Sequence, residues 1–128
     1  MKPQAAAFLE KSHDLLERAD KMLAVGLNED AGRTAYLAGL HAAQAILFET
    51  HGRVFKKHAT VQSEFGRLTK DDPRFDAELR TFLGRAYNLK AIADYETGPG
   101  SRVSADSASA ALRTAHRFVE SAARFLRP

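Results

Sequence analysis

The sequence predicts an all-α fold: an antiparallel up-and-down bundle of four long helices plus one short helix, in a single domain over residues 1–128. Three observations carry this reading. Apolar residues recur at spacings of three and four along most of the chain. The strong breakers are few and fall between those stretches. No segment alternates apolar and polar residues as a half-buried strand would.

Each element has its own signal. From Ala5 to Val25, residues Phe8, Leu9, Leu15, Leu16, Ala19, Met22 and Leu23 recur at helical spacing, and Gly26 is a natural stop. Asn28 can cap the second helix, with Glu29 and Asp30 favourable at its positive end. That helix runs through Tyr36, Leu37, Leu40, Ala43, Leu47 and Phe48 to Gly52. Its small residues Ala35, Ala38, Gly39, Ala42 and Ala43 would let another helix approach closely. A glycine inside a helix costs about 1 kcal/mol relative to alanine, so Gly39 should have a packing reason. Arg53 to Ala59 reads as a connection, and Thr60 opens a short helix in which Val61, Phe65 and Leu68 share a face. Asp72 as cap and Pro73 at the first helical position start the fourth helix. It buries Leu79, Phe82, Leu83, Ala86, Ala93 and the stem of Lys90, and ends near Tyr95 before the TGPGS break. Ser104 or Asp106 opens the last helix, with Ala108, Ala111, Leu112, Ala115, Val119, Ala122 and Leu126 as its stripe. Short loops favour antiparallel neighbours. One apolar face exceeds what a lone four-helix core needs, which points to a homodimer.

Composition bounds the function. Apolar residues make up 45% and charged residues 27% of the 128, which is ordinary globular composition. The absence of cysteine excludes disulfides, thiol catalysis and thiolate metal sites. No apolar run approaches the roughly 20 residues that span a bilayer, so no membrane partner is expected. Glu10 and Lys11 come too early for a signal-peptide core, and a cytoplasmic location is the expectation. The net charge of +3 mildly favours an anionic partner, because Lys and Arg neutralise phosphates. The arginine-rich second half reads first as a solvated face. The histidines lack metal-ligand spacing, and GPGS lacks the Gly-Lys-Ser/Thr ending of a phosphate loop. Neither a metal nor a cofactor is expected.

Three stretches together carry a resemblance: AGRTAYLAGLHAAQAILFETHG (Ala31 to Gly52), KHATVQSEFGRL (Lys57 to Leu68) and YNLKAIADYE (Tyr87 to Glu96). They resemble the HEPN family, in its small stand-alone bacterial and archaeal members. Gln62 stands where a His is common, and Lys90 at the usual Arg. The resemblance implies an antiparallel helical bundle that dimerises and is often encoded beside a minimal nucleotidyltransferase. In such a toxin–antitoxin-like pair, a nucleotide or RNA is the implied ligand. Many HEPN proteins are metal-independent ribonucleases, in which an Arg is followed by a His near the end of the fourth helix and two such motifs meet across the dimer. There the His moves a proton at a ribose hydroxyl and the Arg stabilises charge on phosphate.

Here Ala93 stands at the position of that His, in Ala93-Asp94-Tyr95, and no His occurs between His58 and His116. The resemblance therefore implies a non-catalytic or weakly catalytic subunit, with catalytic residues unassigned. A ribonuclease toxin using a displaced set (Arg33, His41, His58, Tyr95) and a ligand-free helical scaffold are the alternatives. Arg53 and His58 satisfy the Arg-to-His spacing, but between helices, where the match reads as coincidence.

Individual residues carry a bland and a sharp reading. Arg33 and Tyr36, three apart, are neighbours on one helix face. His41 is a half-buried residue that bonds a neighbouring helix, or it lines a polar pocket with Arg33 and Tyr36 at a dimer seam. Ser63 and Glu64 are a cap and a favourable charge at a helix start. Alternatively, Lys57, His58 and that helix start form an anion-binding corner. Lys90 and Asp94 complete the ligand or seam candidates. Tyr95 packs at a helix end with its hydroxyl exposed. By the resemblance it is also a candidate modification site, because in some pairs the nucleotidyltransferase attaches AMP to the matching Tyr.

Overall fold

The structure, a computed structural model, describes residues 1–98 and 102–127. The described residues form five α-helices and no strand: α1 (Pro3–Ala24), α2 (Asn28–His51), α3 (His58–Thr69), α4 (Ala77–Tyr95) and α5 (Ala105–Leu126). The expected all-helical bundle of four long helices and a short one is what is found.

Helix α2 runs through the centre. Fourteen of its residues are buried, around its circumference, and its run of alanines and glycines lets α1, α4 and α5 lie close. Gly39 has the packing reason its position demanded: a Cβ there would come within 2.5 Å of Phe82 Cε2. Helix α1 lies antiparallel on α2 through the stripe Ala5, Leu9, Leu16 and Ala19, and the turn between them places Gly26 at φ +82°. Gly52 ends α2 in the left-handed conformation, its N–H donating to Phe48 O. The following loop doubles back along α2, where Gln44 Nε2 donates to Phe55 O at 2.8 Å. This return delivers α3 to the middle of α2 rather than to its end.

Several starts differ from expectation. Asn28 does not cap α2: Leu27 holds the cap position, and Asn28 lies in the first turn with its Oδ1 buried and without a hydrogen-bond partner among the described residues. Helix α3 begins at His58, two residues before Thr60, so Ser63 is a mid-helix residue and not a cap; Glu64 instead pairs with Arg67. Helix α4 begins at Ala77, capped by Asp76, whose side chain accepts from Leu79 N at 2.9 Å. The Asp72-Pro73 signal belongs to a preceding turn, where the Asp72 carboxylate accepts from the Arg74 backbone and guanidinium. That turn carries Phe75 into the core, which an uninterrupted helix from Pro73 would place elsewhere. Ser104 caps α5 as expected, accepting from Ser107 N. The Pro99–Ser101 part of the TGPGS break, and with it most of GPGS, lies outside the described residues.

Phenylalanines seal one part of the core. Phe65 of α3, Phe75, Phe82 of α4 and Phe118 of α5 pack with ring centroids 5.0–6.0 Å apart. The periodicity reading passed over Phe118, which is fully buried beside Val119. No helix among the described residues is long and apolar enough to cross a membrane.

Candidate functional site

Where α2, α3 and α4 converge, polar aromatics replace the phenylalanines. Tyr36, fully buried on α2, meets His58 at the start of α3, its hydroxyl 2.7 Å from His58 Nδ1. The two rings stack with centroids 5.6 Å apart, and Tyr87 of α4 packs edge-on against both, at 5.6 and 5.9 Å. Burial pushes the Tyr36 hydroxyl above its ordinary pKa, opposed by the Gln62 amide beside it and by Lys90, and reinforced by Tyr87. Burial likewise lowers the His58 pKa, and the Lys90 ammonium lowers it further. Near neutral pH His58 is therefore an uncharged ring with Nδ1 on the tyrosine hydroxyl.

One turn along α4, charge replaces aromaticity. Asp94 holds two cations: Lys90 Nζ at 2.9 Å from Oδ2, one helical turn back, and Arg33 Nε of α2 at 2.7 Å from Oδ1. The hydrogen bond from Lys90, with that from Arg33, keeps the Asp94 carboxyl below its ordinary pKa against the effect of burial. Asp94 in turn raises Lys90. Lys90 is only 13% exposed, shielded by Tyr87 and Tyr95, whose rings lie 5.9 and 5.1 Å from its ammonium. Two cations share one carboxylate, so the cluster carries net positive charge. Arg33 spends a single N–H on Asp94 among the described contacts and keeps its other donors.

The fold thus brings together Arg33, Tyr36, His58, Lys90, Asp94 and Tyr95 from three helices. Tyr95 is 74% exposed, with its ring over Lys90. Two residues expected with them stand apart. His41 bonds within its own helix and not to a neighbour: its Nδ1 donates to Gln44 Oε1 at 2.7 Å, because the Gln44 amide is oriented by its bond to Phe55 O. Its ring stacks on Phe8 of α1, with centroids 6.0 Å apart. Burial lowers the His41 pKa, the Gln44 bond opposes that, and Lys11 and His58 add to it. Lys57 sits exposed at the cap position of α3 and makes no ion pair among the described residues. Ala93 is half-buried on α4, so the histidine that reaches the cluster comes from α3.

The sequence reading missed Tyr87 and Gln62 as site residues. Both carried a signal. Tyr87, Lys90 and Asp94 fall at i, i+3 and i+7 on α4, and Gln62 lies one turn beyond His58 on α3.

The described residues are thus a five-helix bundle with a cationic and aromatic cluster between the second, third and fourth helices. The HEPN domain family matches residues 5–125, and the chain belongs to that family. It is 35% identical over 121 residues to a UPF0332 protein of Archaeoglobus fulgidus, covering 89% of this chain and 88% of that protein. It is 29% identical over 107 residues to a Methanocaldococcus jannaschii protein named "Putative toxin MJ0605", covering 84% of this chain and 79% of that one. Its fold is shared with the crystal structure of TT1696 from Thermus thermophilus, at a TM-score of 0.77 and 20% identity over 97% of this chain and 99% of that chain.

Proposed function

We propose that this HEPN protein is a non-catalytic or weakly catalytic subunit that binds a nucleotide or RNA at the Arg33–Tyr36–His58–Tyr87–Lys90 cluster. It works as a cytoplasmic homodimer beside a minimal nucleotidyltransferase, in a toxin–antitoxin-like pair. The observation that carries the ligand is the shared carboxylate: Asp94 pre-orients Arg33 and Lys90 while leaving a net positive charge beside stacked rings. Cations beside aromatic faces are the recurring means of holding a phosphate and a base together. An apolar groove of about 350 Å³ between α4 and α5, lined by Phe82, Ala86, Leu89 and Ala111, supports a second copy covering that surface. The likeness to a protein named as a putative toxin supports the toxin–antitoxin setting. Exposure of Tyr95 beside Lys90 supports its being open to modification by the partner.

One observation favours a second reading, a metal-independent endoribonuclease. His58, kept uncharged near neutral pH by burial and by the charge of Lys90, has the proton-accepting capacity that Ala93 lacks. Expression of the chain alone in a bacterium, with growth and total RNA followed together, separates the two. Normal growth and intact RNA, with nucleotide or RNA binding by the purified protein that Lys90→Ala weakens, is the outcome expected. Growth arrest with cleaved RNA, relieved by His58→Ala, would replace the first reading with the second. Sedimentation at a monomer mass, or failure of a co-expressed nucleotidyltransferase to co-purify, would remove the assembly part alone.

A further inference from the structure

We propose that the groove between α3 and α4 is a second anion site, built to take phosphate groups of a nucleotide or a nucleic-acid strand. Its two arginines, Arg80 and Arg85, are not among the residues that the reading above assigns to the ligand. The groove encloses about 560 Å³, and its charged lining residues are Arg80 and Arg85, with no carboxylate among the residues that line it. That is unlike the surroundings of five of the ten other arginines in this molecule. Arg33, Arg67, Arg74, Arg117 and Arg124 are each held by an aspartate or glutamate. Arg80 reaches only the Lys70 carbonyl, at 3.4 Å, and Arg85 has no hydrogen-bond or ion-pair partner among the described residues. Five residues apart on α4, the two guanidinium stems lie about 7.5 Å apart along the helix axis. They would therefore meet separate phosphates rather than clamp one. The Ser63 hydroxyl and the Gln62 amide supply neutral donors from the α3 wall.

Gly84 is the second observation. It lies inside α4, where a glycine weakens the helix, yet no neighbour demands it. A Cβ there would meet nothing nearer than Gln62 Oε1, at 3.9 Å. Gly39 answers a packed ring; Gly84 answers empty space on the groove floor. Gln62 also joins the two sites, because its amide acts on the Tyr36 hydroxyl while its side chain lines the groove. A phosphate-bearing chain lying over Gln62 would touch both. Arg85 also borders the apolar α4–α5 groove, on the ridge between the two surfaces.

Binding of a fluorescein-labelled single-stranded RNA, followed by anisotropy across a salt series, tests this on the full chain. The variants are Arg80→Ala with Arg85→Ala, Gly84→Leu and Lys90→Ala. The double arginine variant should weaken binding at least about tenfold at low salt. It should also reduce the slope of log affinity against log salt by about 1.4, since each lost phosphate contact on a single strand is worth about 0.7. Gly84→Leu should weaken binding while its melting temperature holds or rises, which separates a filled groove from a damaged fold. Competition with ATP and with inorganic pyrophosphate distinguishes the sources of the phosphate. Displacement that depends on Arg80 and Arg85 assigns the groove to nucleotides; response to RNA alone assigns it to a strand. Wild-type affinity and slope in both groove variants would overturn the proposal, even where Lys90→Ala abolishes binding and the neighbouring site stands. Loss in the groove variants with none in Lys90→Ala would leave the groove and remove the neighbouring site. Absence of binding by the wild-type protein to RNA, ATP and pyrophosphate would overturn both.

Discussion

Helices α3 and α4 each feed two aromatic clusters, and the two are built for different ends. Phe65 and Phe82 join Phe75 and Phe118 in a cluster whose rings are all but sealed from solvent. On the same two helices His58 and Tyr87 meet Tyr36 in a cluster where every ring carries a polar atom. A phenylalanine needs only shape to be buried, whereas a buried hydroxyl or imidazole without a partner carries a large desolvation penalty. Tyr36 is fully buried because His58 satisfies its hydroxyl. The first cluster fixes the angle between the helices. The second uses that angle to hold a hydrogen bond, a neutral histidine and two cations in fixed relation.

The largest test of this division is Phe118→Ala, which removes the ring that touches both Phe65 and Phe82. Truncation of a buried phenylalanine costs about 3–5 kcal/mol, which urea denaturation would read as a lower midpoint. Tyr36→Phe should cost about 1–3 kcal/mol, because it removes one hydrogen bond and leaves His58 Nδ1 without its partner. If Tyr36→Phe proved the more destabilising, the polar cluster and not the phenylalanines would be the main support of the fold.

Gly39→Ala sharpens the comparison at the point where α4 crosses α2. The added methyl would press on Phe82, whose ring is backed by Phe118 and cannot swing away freely. Overpacking of this kind costs about 1–3 kcal/mol, against a helix-propensity gain of up to about 1 kcal/mol. The expected net result is a loss of up to about 2 kcal/mol by thermal or urea denaturation. Any gain in stability would mean that the crossing is looser than the Phe82 contact implies.

Legibility followed the same division. Helical period and breakers gave the five helices, and the crowding role of Gly39 was readable because alanines flank it on both sides. Phe118 escaped because it sits beside Val119, and the stripe reading took one of the two. The Asp72-Pro73 start failed because Asp, Asp and Pro serve a turn as well as a helix cap, and only the tertiary placement of Phe75 decides between them. Arg33, Tyr36, His58, Lys90 and Asp94 could each be nominated from motif position. The arrival of His58 among them could not, because it depends on the α2–α3 loop doubling back through Gln44 and Phe55, a contact with no sequence period. His41 was placed with them by the spacing of α2, and Gln44 and Phe8 hold it elsewhere.

The smallest effect is the most specific to the polar cluster. Lys90→Met removes the ammonium that, after burial, lowers His58. The His58 pKa should rise in the variant but stay below the ordinary value of about 6.5, because burial remains. An NMR titration of the imidazole C–H signals reads this directly. His41 is the comparison: Lys90 is not among the causes of its depression, which are burial, Lys11 and His58, so it should respond only through His58 and by less. The sign for stability follows. Both histidines have folded pKa values below their unfolded ones, so the unfolded chain binds more protons as pH falls below about 6.5. Stability should therefore decline as pH drops through that point and level off only once the folded rings protonate. Lys90→Met should narrow this window from its acid end. A bound phosphate acts in the opposite direction to the ammonium, because an anion beside His58 favours the imidazolium and raises its pKa. Ligand on the wild-type protein should thus move His58 the same way as Lys90→Met does. If ligand left the His58 titration unchanged while binding tightly, the phosphate would lie away from the Tyr36–His58 pair, and the α3–α4 groove would be where to look for it.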